Sequence, residues 1–195
     1  MTNTAKLKRE TFETKIKGSL NLTGSGKGTI QSGIGFLDHM LELFKFHAGF
    51  DLELKVEGDL HVCPHHTIED IALALGAAFQ TALKDKKGIN RYATCYLPMD
   101  ESLTRTVLDV SGRSYHVFSG QFATENVGQF PTEMVKHFFQ SFTSEAKITL
   151  HQEILYGDND HHKIESLFKG FARAIHQAIS KRAGFDGLPS TKGTL

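Results

Sequence analysis

Apolar side chains recur at Ile68, Ile71, Leu75, Phe79 and Leu83, a spacing of three or four residues that predicts an amphipathic helix. Adding 96 to each number gives Ile164, Leu167, Phe171, Ile175 and Ile179, all apolar and in the same register. Upstream of each stretch the period changes to two. Asp51-Leu52-Glu53-Leu54-Lys55 and Lys147-Ile148-Thr149-Leu150-His151 alternate like half-buried strands. Further upstream, Phe36 to Phe46 and Thr132 to Phe142 read as another pair of helices. Here His39-Met40-Leu41 aligns with His137-Phe138-Phe139 at an offset of 98. The two-residue slip falls at a helix–strand junction, where loops absorb insertions.

The remaining strands are expected near Leu7 to Ile16 and Leu20 to Thr23, before a Gly24-Ser25-Gly26 turn. Their counterparts lie near Tyr92 to Leu97, Arg105 to Val110 and Tyr115 to Ser119, with Gly112 and Gly120 as punctuation. The order predicts an α+β fold: a tandem duplication of a half-domain, each half a mostly antiparallel sheet with helices packed on one face. Residues 1–195 form a single domain of two pseudo-repeats, about 1–88 and 89–183, followed by a C-terminal tail, 184–195. The boundary at Lys87-Gly88-Ile89-Asn90 is too short for a flexible linker, so the halves should pack together.

Composition narrows the function classes. With 39% hydrophobic residues the chain can bury a normal core, and its 22 basic and 22 acidic residues cancel, which argues against a nucleic-acid or membrane partner. The segment from Met1 to Arg9 lacks an apolar signal core, and no apolar run approaches the roughly 20 residues that span a bilayer. Two cysteines, Cys63 and Cys95, make no disulfide framework and fit a reducing cytoplasm. The unusual entries are 11 histidines and 15 phenylalanines. The phenylalanines are most simply core; the histidines cluster.

Each long helical stretch opens on the same phrase: His65-His66-Thr67-Ile68-Glu69 and His161-His162-Lys163-Ile164-Glu165. Imidazole and carboxylate are ligands for divalent transition ions. Residues three or four apart share a helical face, so His66 can join Glu69 and His161 can join Glu165. Adjacent histidines point about 100° apart and suit two ions better than one. His39 and His137, each on its own helix, would complete the sets, making six histidines and two glutamates. His61, His116, His151 and His176 read as solvated or ordinary hydrogen-bonding residues. His47 lies two turns beyond His39 and could reach a pocket. Cys63 has Asn159 as its counterpart, which argues against a ligand role.

Phe36-Leu37-Asp38-His39-Met40-Leu41, His65-His66-Thr67-Ile68-Glu69-Asp70, His137-Phe138-Phe139-Gln140-Ser141, His161-His162-Lys163-Ile164-Glu165 with Phe168-Lys169, and Pro189-Ser190-Thr191-Lys192-Gly193 together resemble the imidazoleglycerol-phosphate dehydratase family. The resemblance runs from about Arg9 to the C-terminus, with five motifs in the family's order. Two departures stand out: Ser111-Gly112-Arg113-Ser114, where members often have proline last, and Leu43, where some carry an amide.

The resemblance implies two Mn2+ per active site. It places His39, His66, Glu69 and His162 on one ion, and His65, His137, His161 and Glu165 on the other. It implies ligands meeting at subunit contacts, and trimers building a 24-subunit octahedral assembly. The implied substrate is imidazole glycerol phosphate, with Glu13, His39, His47, Arg91, Arg113, Ser190, Thr191 and Lys192 in contact with it. The product is imidazole acetol phosphate plus water, a step of histidine biosynthesis. The proton to be removed has no neighbouring carbonyl to acidify it, so Lewis acids on the ring nitrogens offer a route. Glu13 is the favoured base, with Glu69 and Glu165 as other catalytic carboxylates; an ion lowers the basicity of a carboxylate bound to it. The ligand types alone leave open a dinuclear phosphate-ester hydrolase or a non-enzymatic metal-binding shell protein.

Overall fold

The computed structural model describes residues 3–195. The first half contains β1 (Thr4–Glu10), β2 (Thr14–Asn21), β3 (Ile30–Gln31), α1 (Gly35–Ala48), β4 (Asp51–Gly58) and α2 (His65–Leu83). The second contains β5 (Tyr92–Met99), β6 (Ser102–Asp109), β7 (Tyr115–Ser119), a small hairpin of β8 (Asn126–Val127) and β9 (Phe130–Pro131), then α3 (Glu133–Ala146), β10 (Thr149–Tyr156) and α4 (Asp160–Ile179). The sheets run β1-β2-β4-β3 and β5-β6-β10-β7. In each, two antiparallel pairings are followed by one parallel pairing at the short edge strand. The duplication read from apolar spacing is thus a duplication of topology.

One expected strand is divided. The stretch Leu7 to Ile16 breaks at Thr11-Phe12-Glu13, because the Thr11 hydroxyl accepts the backbone N–H of Glu13 at 3.2 Å and of Thr14 at 3.0 Å. A local side-chain acceptor of this kind favours a turn over a continuing ladder. β3 and the β8–β9 hairpin are too short to carry a period and escape sequence reading. The tail, 184–195, has no helix or strand.

The helices form an inner layer that ties the halves together. α2 covers the first sheet and α4 the second, yet α2 packs on α3 and α1 on α4, each pairing crossing between halves. Nine phenylalanines lie in this core. Phe44 of α1 stacks on Phe171 of α4 at 5.6 Å between centroids, and Phe79 of α2 meets Phe142 of α3 at 5.9 Å. Gly76 is required at the α2–α3 crossing, since a Cβ there would lie 2.3 Å from the Phe142 carbonyl oxygen. This crossed pairing decides which ligands meet.

Candidate active site

The two histidine pairs occupy the first turns of α2 and α4. On α4 the position is fixed by Asn159, whose side-chain oxygen accepts the N–H groups of His161 at 2.9 Å and His162 at 3.3 Å. On α2 the helix opens directly after Pro64, whose carbonyl takes the Ile68 N–H at 3.0 Å.

Because α2 packs on α3, His65, Glu69 and His137 converge; because α1 packs on α4, so do His39, His161 and Glu165. In each trio one ligand atom per residue lies within 4.8 Å of the others. The Glu69 Oε2 oxygen is 3.5 Å from His65 Nε2 and 3.4 Å from His137 Nε2. The Glu165 Oε2 oxygen is 3.1 Å from His161 Nε2 and 3.3 Å from His39 Nε2. The upstream histidine of one half therefore joins the helix of the other. Within one chain His39 stands with Glu165 and His137 with Glu69, whereas the partition that the resemblance implies joins ligands from different subunits.

The second histidine of each pair points away from both trios. His66 Nδ1 lies 2.9 Å from Asp59 Oδ2, and His162 Nδ1 lies 2.7 Å from Glu101 Oε2. Each Nε2 then faces a further carboxylate at 3.8 Å, Glu13 for His66 and Asp100 for His162. The carboxylates raise the pKa of both imidazoles, chiefly through these hydrogen bonds, and the His162 contact holds Glu101 far below the usual carboxylate range. Asp59 and Glu101 were not predicted. They come from a β4–α2 loop and a β5–β6 turn, and no shared spacing advertises them.

The trios fit a divalent ion. Each offers two imidazole nitrogens and a carboxylate oxygen. In the α2–α3 trio, His137 Nε2 is buried without a hydrogen-bond partner among the described residues, a cost that a bound cation removes. In the other trio Glu165 is buried and its second oxygen pairs with Lys169. Burial raises its pKa, but the Lys169 ammonium with His39 and His161 outweighs this and holds it below the ordinary value.

The expected phosphate residues gather elsewhere. Arg91 holds Asp109 at 2.7 and 3.1 Å and donates to the Pro189 carbonyl at 2.8 Å, which brings the tail beside it. Arg91, Arg113, Ser190, Thr191 and Lys192 line one hollow, whose walls include no member of either trio. The Arg91 N–H bonds the Ala178 carbonyl at 2.8 Å, thirteen residues beyond Glu165 on α4. That separation is roughly 20 Å along the helix axis at about 1.5 Å per residue. His47 lies in neither group; it shares a hollow with Tyr96, Arg173 and His176, and burial and then Lys169 and Arg173 lower its pKa. His116 bonds Gln152 and is pushed by burial to about 4, and His176 bonds the Ala48 carbonyl, the ordinary roles expected of them. Both cysteines are free thiols.

The sequence model of the family described as imidazoleglycerol-phosphate dehydratase matches residues 32–175. The chain belongs to the imidazoleglycerol-phosphate dehydratase family. Relatives of that name from Clostridium botulinum and Methylorubrum populi are each 55% identical, over 191 and 193 residues, covering 98% of this chain and 97% and 99% of theirs. The dehydratase structure from Staphylococcus aureus superimposes with a TM-score of 0.84 at 38% identity, covering 92% of this chain and 99% of that one. The Pyrococcus furiosus enzyme, solved in complex with (S)-C348, gives 0.83 at 30% identity, covering 98% and 100%. The activity is accordingly that of a hydro-lyase of histidine biosynthesis. This decides between the dehydratase and the hydrolase or shell protein that the ligand types alone leave open.

Proposed function

We propose that imidazole glycerol phosphate is dehydrated at a dinuclear Mn2+ site assembled from more than one copy of the chain. His65, Glu69 and His137 would hold one ion, and His39, His161 and Glu165 the other. His66 and His162 are outward-facing ligands available to a neighbouring copy. The ions, when bound, supply Lewis acidity to the nitrogens of the substrate ring. Everything else falls to side chains. Glu13, at the tip of the β1–β2 turn beside His66, is outside both trios and half-exposed, so its basicity is not consumed by an ion. It is our choice for the base that removes the carbon-bound proton. Arg91, Arg113, Ser190, Thr191 and Lys192 would receive the phosphate, the arginines through planar forks.

The carrying observation is the separation of roughly 20 Å along α4 between Glu165 and the Arg91 anchor. A three-carbon chain between ring and phosphate cannot bridge it, so one substrate needs ions and arginines from different copies. Exposed apolar side chains support the same arrangement: Phe12, Leu60 and Val62, next in the chain to the Glu13 and Asp59 segments that meet His66, and Leu155 and Tyr156 at the end of β10. The expected trimers and 24-subunit shell, and a cytoplasmic location consistent with free thiols, belong to the same proposal. No described helix is long and apolar enough to cross a membrane.

Co-assembling His137→Ala chains with Arg113→Ala chains tests it. Each variant alone should be nearly inactive, while mixed assemblies should recover a substantial fraction of wild-type turnover, because some sites combine an intact trio with an intact arginine. Mixed assemblies no more active than the parents would place both functions on one chain.

A further inference from the structure

The two duplicated sheets differ on the faces turned away from the helices. In the second sheet Thr104 bonds Ser166 of α4 and Thr106 lies under Gly170, so the even-numbered residues of β6 face inward and the odd-numbered ones outward. Strand pairing carries the outward face across the sheet. Tyr92, Asp109, Thr149 and Tyr115 form one row, and Thr94, Val107, His151 and Val117 form the next. Tyr92, Tyr96 and Tyr115 are 58%, 56% and 64% exposed, and Tyr156 at the end of β10 is 62% exposed. These are all four tyrosines of the chain.

The first sheet is the opposite. Its outward positions on β1, β2 and β4 carry no apolar side chain and include Lys6, Lys8, Lys15, Lys17 and Lys55. Lys15 pairs with Glu10 at 3.6 Å, and among the described residues the other four lysines form no ion pair. On the second sheet the acids are already paired: Asp109 is held by Arg91 and Glu153 by Arg105. Drying the first face would leave ammonium groups without partners, which is costly. Drying the second removes aromatic surface from water and breaks neither pair.

We propose that a second copy of the chain covers the outer face of the second sheet, while that of the first sheet stays in water. The inference rests on the reading that one site draws residues from several copies. The face is continuous with the hollow that needs a neighbour's trio: Tyr92 lines that hollow, and the Arg91 guanidinium stands 4.6 Å from the centre of the Tyr92 ring. The formal net charge of the chain is zero, so copies meet without net repulsion. Tyrosine is enriched where proteins meet, since its ring is apolar and its hydroxyl tolerates a wet rim.

The test compares Tyr96→Lys/Val117→Lys on the second sheet with Ser19→Lys/Gln31→Lys on the first, by sedimentation of the metal-loaded and metal-free enzyme. The first variant should lower the sedimenting mass by about half or more, as loss of even a two-copy contact would, and the second should leave it unchanged. A Tyr96→Lys/Val117→Lys enzyme of wild-type mass overturns the proposal and leaves the face to water or a different protein; dissociation by the first-sheet variant alone overturns it too. If the face variant keeps its mass while mixed His137→Ala and Arg113→Ala assemblies recover turnover, this face is excluded and the shared site stands. If it dissociates and the mixtures do not recover, the interface stands and the shared site falls. Should the face variant fail to fold, the wild type decides, because the chain has no tryptophan and its tyrosine emission reports this face. Acrylamide should quench that emission about fivefold less than it quenches N-acetyl-tyrosinamide, as expected of rings buried at an interface. Quenching at about half the amide's value, as the 56–64% exposure in a single chain allows, overturns the proposal.

Discussion

The two trios share donors and distances, but not surroundings. Glu69 is 37% exposed at its side chain and has Leu73 one turn further along α2; Glu165 is 8% exposed and has Lys169 at the equivalent place. One oxygen of Glu165 faces two imidazoles and the other is engaged by an ammonium, whereas among the described residues Glu69 has no lysine or arginine beside it. Beside Glu69, Asp70 is buried and bound by Arg9 and the hydroxyls of Thr11 and Thr14; its counterpart Ser166 bonds Thr104 and the Leu97 carbonyl. Duplication kept two imidazoles and a carboxylate in each trio and let the settings diverge. The Glu165 carboxylate is held in place by its neighbours more fully than that of Glu69.

Four outcomes break or sharpen that comparison. The largest should be shared by both sites: Glu69→Ala and Glu165→Ala should each reduce turnover by about 1,000-fold or more, as expected from several kcal/mol of lost Lewis-acid stabilisation. A variant retaining near-wild-type kcat would mean that its trio is not part of the reaction. Next comes an asymmetric effect on stability. Lys169→Met leaves a buried carboxylate without its cation and should destabilise the metal-free protein by roughly 3 kcal/mol, while Leu73→Met should cost under about 1.5 kcal/mol. Denaturant unfolding would measure both; equal effects would show that Lys169 does not support Glu165.

A smaller effect should return to symmetry. Asp59→Ala and Glu101→Ala free the rings of His66 and His162 and should weaken metal affinity by about 10- to 100-fold. Glu101→Gln keeps an acceptor oxygen and should lose less, which metal titration would reveal. The smallest effect concerns pH. Glu101, lowered by His162, contributes stability above the ordinary glutamate range and loses it as pH falls through its depressed value; His162, raised by Glu101, contributes below the ordinary histidine value and loses it as pH rises through its elevated one. The difference in Tm between metal-free wild type and Glu101→Gln should therefore be greatest near pH 5 to 6, between ordinary values of about 4.3 and 6.5. A pH-independent difference would break the pairing.

Much of the fold was legible because the duplication repeats an apolar period over helices long enough to average out noise. The register of Ile68 to Leu83 with Ile164 to Ile179 carries the second half once the first is read. The Thr11–Thr14 turn was hidden because one hydroxyl interrupts an otherwise strand-like run. For the site, the six histidines and two glutamates were visible as residue types at helical spacing. Their grouping was not, since it depends on α1 crossing to α4 and α2 to α3, a tertiary fact set by shapes such as the Phe44–Phe171 stack and the close approach at Gly76. Asp59 and Glu101 were illegible for a related reason: their contacts arise from loops whose course no period records.

The crossed grouping is most directly tested by counting and locating ions in His137→Ala. Anomalous scattering from Mn2+-loaded crystals should show two ions per chain in the wild type. In His137→Ala the density beside His65 and Glu69 should disappear, and that beside His39, His161 and Glu165 should remain. Loss of the ion at Glu165 with retention of the one at Glu69 would contradict the grouping, as would two undiminished ions.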